Sequence, residues 1–465
     1  MKSRTTFRYL SDFSKMGKWE LFSKITTCAY SLARENETSR SVASAGRIEY
    51  NTRPMATANI PSIPAAPIRA MTTSEAGHTL FASFLGWTLD AFDFFVLVFV
   101  LPKIGAEFHR SVADIAFAIT MTLAMRPVGA ALFGWLADRY GRRTPLMIDV
   151  LLYSVVEVLS GLAPTYGSFL VLRALYGIGM GGEWGVGASL AMEAVAPKWR
   201  GFFSGLLQEG YAVGYLLAAG AYFFVYPHFG WRAMFFIGGA PALLTLYIRA
   251  KVPESEAWQR TRPDRAAIVR ALKKNWPMFL YLSLFLTAMS FVSHGTQDMY
   301  PTFLEKQRGL GPEHVAEIAI IYNIGAVMGG LMFGYLSDRW GRRRSIATAL
   351  IIAIFVIPLW IGARSIALLT FGAFMMQFMV QGAWGVMPAH LSELSPPEVR
   401  GLFSGMAYHV GVLMAANAAF FEARIAERWG FANALGIVAL TVFVLGAIIA
   451  IVGPERAGGS LHLES

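Results

Sequence analysis

The sequence predicts an all-α membrane protein with twelve transmembrane helices in two pseudo-symmetric six-helix bundles, and three observations carry that expectation. Of 465 residues, 55% are hydrophobic and only 15% charged, where soluble domains carry roughly 25%. Apolar runs of spanning length recur in two sets of six, and the sets repeat each other's motifs. Twelve spans at about 20 residues each need roughly 240 residues, which the chain holds with room for loops. The formal charge of +10 comes from short clusters between apolar runs; that pattern fits a positive-inside membrane protein, with the lipid bilayer as partner and no nucleic acid. A single cysteine, Cys28, excludes a disulfide framework and a cysteine-rich metal site. No cofactor and no metal are expected.

Residues 1–74 form a poorly structured N-terminal extension with 11 Lys/Arg against 5 Asp/Glu and no run long enough to span a bilayer. Residues 54–67 hold four prolines, Pro54, Pro61, Pro64 and Pro67, and read as an irregular linker. The start codon stands open among Met1, Met55 and Met71.

The first bundle is expected over residues 75–250, with spans near 79–102, 112–137, 145–163, 168–192, 201–226 and 232–250. A polar stretch, 251–276, with seven Lys/Arg and three Asp/Glu, reads as a cytoplasmic linker. The second bundle occupies 277–453, with spans near 277–304, 312–336, 346–363, 366–391, 401–424 and 431–452, and a cytoplasmic tail follows at 454–465. The basic clusters after the second and eighth spans share one side with the linker. That side is the cytoplasm, so both termini are cytoplasmic in a multi-pass protein of the plasma (inner) membrane.

Several spans carry ionisable residues, each costing at least about 2.5–3.5 kcal/mol at the bilayer centre unless it faces a cavity or partner. The first holds Asp90 and Asp93 on one helix face, and the second Arg126 before Pro127. The third holds Asp149 and Glu157, and the fourth Arg173, a glycine run and Glu183. Arg173 follows an external turn and reads either as snorkelling outward or as functional. The fifth holds Glu209, the seventh His294 and Asp298, and the eleventh His409. Glu209 and His409 are equivalent under the repeat and are expected to face each other across a pathway. Trp184, Tyr211 and Tyr408 read as packing aromatics. So many internal charges point to a transporter of a polar solute; no His-Glu-x-x-His or comparable pattern favours an enzyme.

The repeat is explicit. Gly134-Trp-Leu-Ala-Asp138-Arg139-Tyr-Gly141-Arg142-Arg143 recurs as Gly334-Tyr-Leu-Ser-Asp338-Arg339-Trp-Gly341-Arg342-Arg343, an offset of 200. Trp184-Gly185-Val186, Glu193 and Arg200-Gly201-Phe202-Phe203-Ser204-Gly205 recur at the same offset, giving Glu393 and Arg400. Halves repeated in the same orientation make two similar bundles with a substrate path between them. Gly134 and Gly334 permit close helix approach, and Asp138, Arg142, Asp338 and Arg342 can form ionic contacts at the membrane edge. With Glu193, Arg200, Glu393 and Arg400 they are candidates for a latch between the bundles. The arginines otherwise only set topology.

These loops resemble the signature of the major facilitator superfamily, and the Glu193/Arg200 and Glu393/Arg400 pairs, with Pro253-Glu-Ser-Glu-Ala-Trp258, are similar to its sugar-porter-like branches. Ser290-Phe-Val-Ser293-His294-Gly-Thr296-Gln297-Asp298-Met-Tyr-Pro-Thr302 resembles the signature of the sialate:proton symporter branch, which includes lactate/pyruvate permeases; Ser290 replaces the opening Asn. The resemblance implies translocation roles for His294 and Asp298, together with an intramembrane arginine that maps onto Arg126.

The chemistry agrees. A carboxylate in a bilayer needs a cation, and arginine keeps its charge while offering two oxygens a planar fork. Arg126, His294 and Gln297 are therefore candidate substrate ligands, and Asp298, Asp93, Asp90 and Glu209 candidate proton-coupling groups. The expected protein is a monomeric secondary transporter that moves a small organic anion such as a monocarboxylate with protons. A sugar acid such as sialic acid, then a neutral sugar, and remotely a non-transporting sensor, stand as alternatives.

Overall fold

A computed structural model describes residues 71–110, 112–459 and 461, helical with no strands among them; residues 1–70 of the expected 1–74 extension lie outside the described residues, and its last two, Thr73 and Ser74, already belong to the first helix. The first span, α1, is Thr73–Glu107. It begins before its apolar run because Thr72 and Glu75 form a capping box: the Thr72 N–H donates to the Glu75 carboxylate at 2.8 Å, and the Glu75 N–H donates to Thr72 Oγ1 at 3.3 Å. Spans two to four are α2 (Val112–Tyr140), α3 (Arg143–Gly161) and α4 (Tyr166–Ala194). The fifth is broken at Glu209 into α5 (Arg200–Gln208) and α6 (Gly210–Phe224). The sixth is a pair bent by 40°, α7 (Tyr226–Ile237) and α8 (Ala242–Lys251).

A short α9 (Glu256–Thr261) lies in the linker, and the seventh span is α10 (Arg265–Gln297) with its continuation α11 (Tyr300–Lys306). The polar stretch expected as linker up to residue 276 is thus helical from Arg265. Asp264 caps it by accepting the Ala267 N–H at 2.6 Å, and Ile268 and Ala271 are buried beside exposed Arg270, Lys273 and Lys274. The remaining spans are α12 (Pro312–Trp340), α13 (Arg342–Gly362), α14 (Ile366–Gly385) with α15 (Met387–Leu394), α16 (Arg400–Ala415) with α17 (Ala418–Trp429), and α18 (Phe431–Val452).

Among the described residues, eight helices are long and apolar enough to cross a membrane unaided, and the bent pair makes a ninth. The fourth span and the broken fifth and eleventh complete twelve. Outward-facing Leu151, Phe355 and Ile448 are exposed apolar side chains of the kind a bilayer covers. The two bundles meet along a seam of small residues. A Cβ on Gly134 would stand 2.7 Å from Leu402 Cα, one on Gly185 2.5 Å from Gly405 Cα, and one on Gly205 2.3 Å from the Gly330 carbonyl. Backbone touches backbone there, so any side chain would push the bundles apart.

Candidate functional site

Two ionic clusters close the end of the seam that carries the basic loops. Gly141 and Gly341 turn the chain with φ of +107° and +92°, a left-handed geometry that glycine adopts without strain. Each turn delivers an arginine back onto the acid four residues earlier. Arg142 pairs with Asp138 and reaches Glu193 at 3.3 Å, and Arg400 of the other bundle reaches the same Glu193 at 2.7 Å. In the mirror cluster Arg342 pairs with Asp338 at 2.8 Å and Glu393 at 2.9 Å, and Arg200 crosses to Glu393 at 2.9 Å. The Glu and Arg seven residues apart therefore pair crosswise between halves. Asp138 also accepts the N–H groups of Gly401 and Leu402 at 3.0 and 2.9 Å, capping α16, and Asp338 accepts those of Gly201 and Phe202 at 2.8 and 3.0 Å, capping α5. Gly134 and the eight charged residues singled out for a latch lie in this seam.

The linker supports the first cluster. Glu254 accepts the Arg142 and Arg143 N–H groups at 2.8 and 3.2 Å at the start of α3, and Ser255 donates to Glu193. Burial raises the Glu254 carboxyl above its usual range, against the pull of these donors. Glu455 repeats the cap at α13, accepting from Arg342 and Arg343 at 3.3 and 2.9 Å.

On α2, Arg126 stands twelve residues before Asp138, about 18 Å along the helix, and there a cavity of about 280 Å³ opens between the bundles. Arg126 lines it from the first bundle together with Glu209; His294, Gln297 and Asp298 line it from the second. Arg126 Nη2 donates to Asp90 Oδ2 at 3.1 Å. His294 Nδ1 lies 3.1 Å from Asp298 Oδ2, the pair sitting where α10 ends at its C-cap, Asp298. Gln297 donates one amide hydrogen to Gln377 Oε1 at 2.8 Å, leaving the other for the cavity. Trp87, Tyr211, Trp384 and Tyr408 complete the wall, with Trp184 stacked on Tyr408 at 4.2 Å behind it.

Other predicted residues fall elsewhere. Asp93 is buried outside the cavity lining, within electrostatic reach of Glu157 and Arg173. Arg173 does not snorkel: it is fully buried, paired with Glu157 at 2.6 Å, with its guanidinium 4.5 Å from the Tyr176 ring centroid. Glu209 of the cavity wall reaches toward Gly330 and buried His409 toward Gly181, each a glycine backbone of the opposite bundle.

Sequence reasoning missed Glu422 of α17, 1% exposed with neither oxygen hydrogen-bonded among the described residues, packed at Gly295 between His294 and Asp298. It also missed Gln377, Gln381 and Asn323. Glu422 obeys the rule that found the others, an acid within an apolar run. The amides carry no charge and so leave no signal.

The model of the Major Facilitator Superfamily matches residues 83–320 and 296–463 of the chain. A carboxylic acid transporter protein homolog of Saccharomyces cerevisiae is 28% identical over 84% of this chain and 70% of its own length. The sialic acid transporter NanX of Escherichia coli is 30% identical over 82% of this chain and 94% of its own. Among solved structures, the proton:xylose symporter XylE superposes with a TM-score of 0.66 at 19% identity, covering 84% of this chain and 98% of that one, a likeness of fold.

Proposed function

The chain belongs to the major facilitator superfamily as a secondary transporter, and on that premise we propose that it carries a small organic acid together with protons by alternating access of its two bundles. The observation that carries this reading is Arg126, a guanidinium on the wall of the central cavity with its Nε unpaired among the described residues. A permanent cation in a low-dielectric pocket selects for an anion, and its fork suits a carboxylate. Asp90 and an incoming carboxylate compete for that one guanidinium. A proton on Asp90 weakens its hold and passes Arg126 to the substrate, which makes loading depend on protonation. Across the cavity, His294 and Asp298 form a second proton-accepting pair, with the free Gln297 amide hydrogen directed at the bound acid. Asp93 and Glu209 are the next coupling candidates. The positive-inside pattern supports reading the closed end as cytoplasmic, and on that reading this is an outward-facing arrangement of a monomeric inner-membrane protein. The uncharged polar side chains Ser290, Ser293, Asn323 and Gln381 in the same cavity exceed what one carboxylate needs, which favours a hydroxylated acid, such as a sialic acid, as the second reading.

Proteoliposomes test this with labelled lactate, competed by a panel of unlabelled acids including sialic acid and by glucose. Uptake at fixed anion concentration should rise as external pH falls and collapse with a protonophore. Asp298→Asn should lose uphill accumulation while retaining exchange of internal for external substrate, because exchange does not require the empty carrier to return. Sodium dependence without a pH effect, or uphill accumulation by Asp298→Asn, overturns the coupling assignment.

A further inference from the structure

Beyond the last span, the chain folds back across the closed end of the seam. Helix α18 stops at Gly453, Glu455 caps α13, and Gly458 turns the backbone with φ of +72°. The Gly458 N–H then donates to Glu393 Oε1 at 3.3 Å, Arg200 Nη1 donates to the Gly459 carbonyl at 3.0 Å, and Arg400 Nη2 donates to the Leu461 carbonyl at 3.1 Å. The Leu461 side chain is 4% exposed, in an apolar cluster with Leu80, Ala191 and Phe203 of the first bundle and Ala389 of the second. Arg200 belongs to the first bundle and Arg400 to the second, so the segment is held by one arginine from each. It can be seated in this way only while the bundles are together.

The pseudo-symmetric mate of this segment is the linker. Pro253-Glu254-Ser255 and Pro454-Glu455-Arg456 stand 201 residues apart, and each glutamate caps a helix at its own cluster. The linker runs on into the second bundle, whereas the tail follows the last described span, α18. We propose that the seam at this end is a binding site for a short peptide presenting two main-chain carbonyls and a leucine. Its occupant is the chain's own tail, which straps the bundles and has to leave before the pathway opens here. The strap acts on alternating access whichever acid is carried.

Spin labels on cysteines replacing Tyr140 and Trp340, exposed residues one on each bundle, report the separation at this end in a Cys28→Ser background. Truncation after Glu455 keeps the α13 cap and removes the strap. Leu461→Ser in the full chain removes the apolar anchor alone, and reports even if the truncated chain folds poorly. Both should raise the population with separated bundles about tenfold, the scale of losing one buried leucine. A peptide of residues 456–465 added to the truncated protein should restore the short distance, and the same peptide with Leu461→Ser should not. Unchanged distances in both variants, or equal restoration by the two peptides, overturns the strap.

Discussion

Arg126 holds two relationships at once, a 3.1 Å pair with Asp90 and a place on the cavity wall, and substitutions separate them. Arg126→Lys keeps the charge but replaces the planar fork with a point charge, so apparent KM for the acid should rise about tenfold; Arg126→Ala should abolish uptake. If the residue were only a structural ion, exchanging the two charges as Arg126→Asp with Asp90→Arg would preserve uptake, and that result in proteoliposomes would remove Arg126 from the substrate site. The residues at this scale were legible wherever burial of a charge is costly, which is why Arg126, Asp90, His294 and Asp298 stand out from an apolar chain. Legibility ended where chemistry leaves no cost. Gln377 and Gln381 are neutral, and pairing partners such as Glu157 for Arg173 depend on which helices become neighbours.

Helices were legible through hydropathy, and the misses have physical causes at their ends. The first turns of α10 are cationic, so an average over residues reads them as linker, although Asp264 caps them and Ile268 and Ala271 anchor one face. The fifth and eleventh spans are each broken, the fifth at Glu209 and the eleventh between Ala415 and Ala418, where hydropathy reads 201–226 and 401–424 as single spans. Caps from distant segments are invisible in local sequence, as with Glu254, which lies 111 residues from Arg143, the first residue of the helix it caps. Glu254→Ala leaves two α3 N–H groups without their acceptor and should cost about 1 kcal/mol. Because burial raises this carboxyl, the folded chain binds the proton more tightly than the unfolded one. That contribution favours folding at acid pH and is lost as pH rises through the shifted value. Glu254→Gln keeps an acceptor oxygen but cannot titrate, so thermal unfolding in detergent should stay near wild type at neutral pH and lose the gain that wild type shows on acidification. Equal melting of the Ala and Gln variants would show that the cap contributes nothing.

At the scale of the molecule, the repeat makes the closed seam two-fold, and that symmetry can be tested. Asp138 is bound by Arg142, Gly401 and Leu402, and Asp338 by Arg342, Gly201 and Phe202, so the two acids share no partner. The pair with Arg142 lies within the first bundle and is kept when the bundles part, whereas separation takes Gly401 and Leu402 away from Asp138, so weakening those two charge-assisted hydrogen bonds weighs on the closed state alone. Asp138→Asn retains one acceptor oxygen but turns an NH2 toward backbone donors, so it should favour separation at this end and lower net turnover while membrane insertion is unchanged. Asp338→Asn should do the same to a similar degree. Since the sites are independent, the double variant should multiply the two population shifts. The distance between labels at positions 140 and 340 measures those shifts directly, and initial rates of uptake measure their consequence. Wild-type distances and kinetics in Asp138→Asn would mean that the clustered arginines only set topology; an effect of Asp138→Asn without one of Asp338→Asn would mean that the halves, alike in sequence, have divided the work of closure.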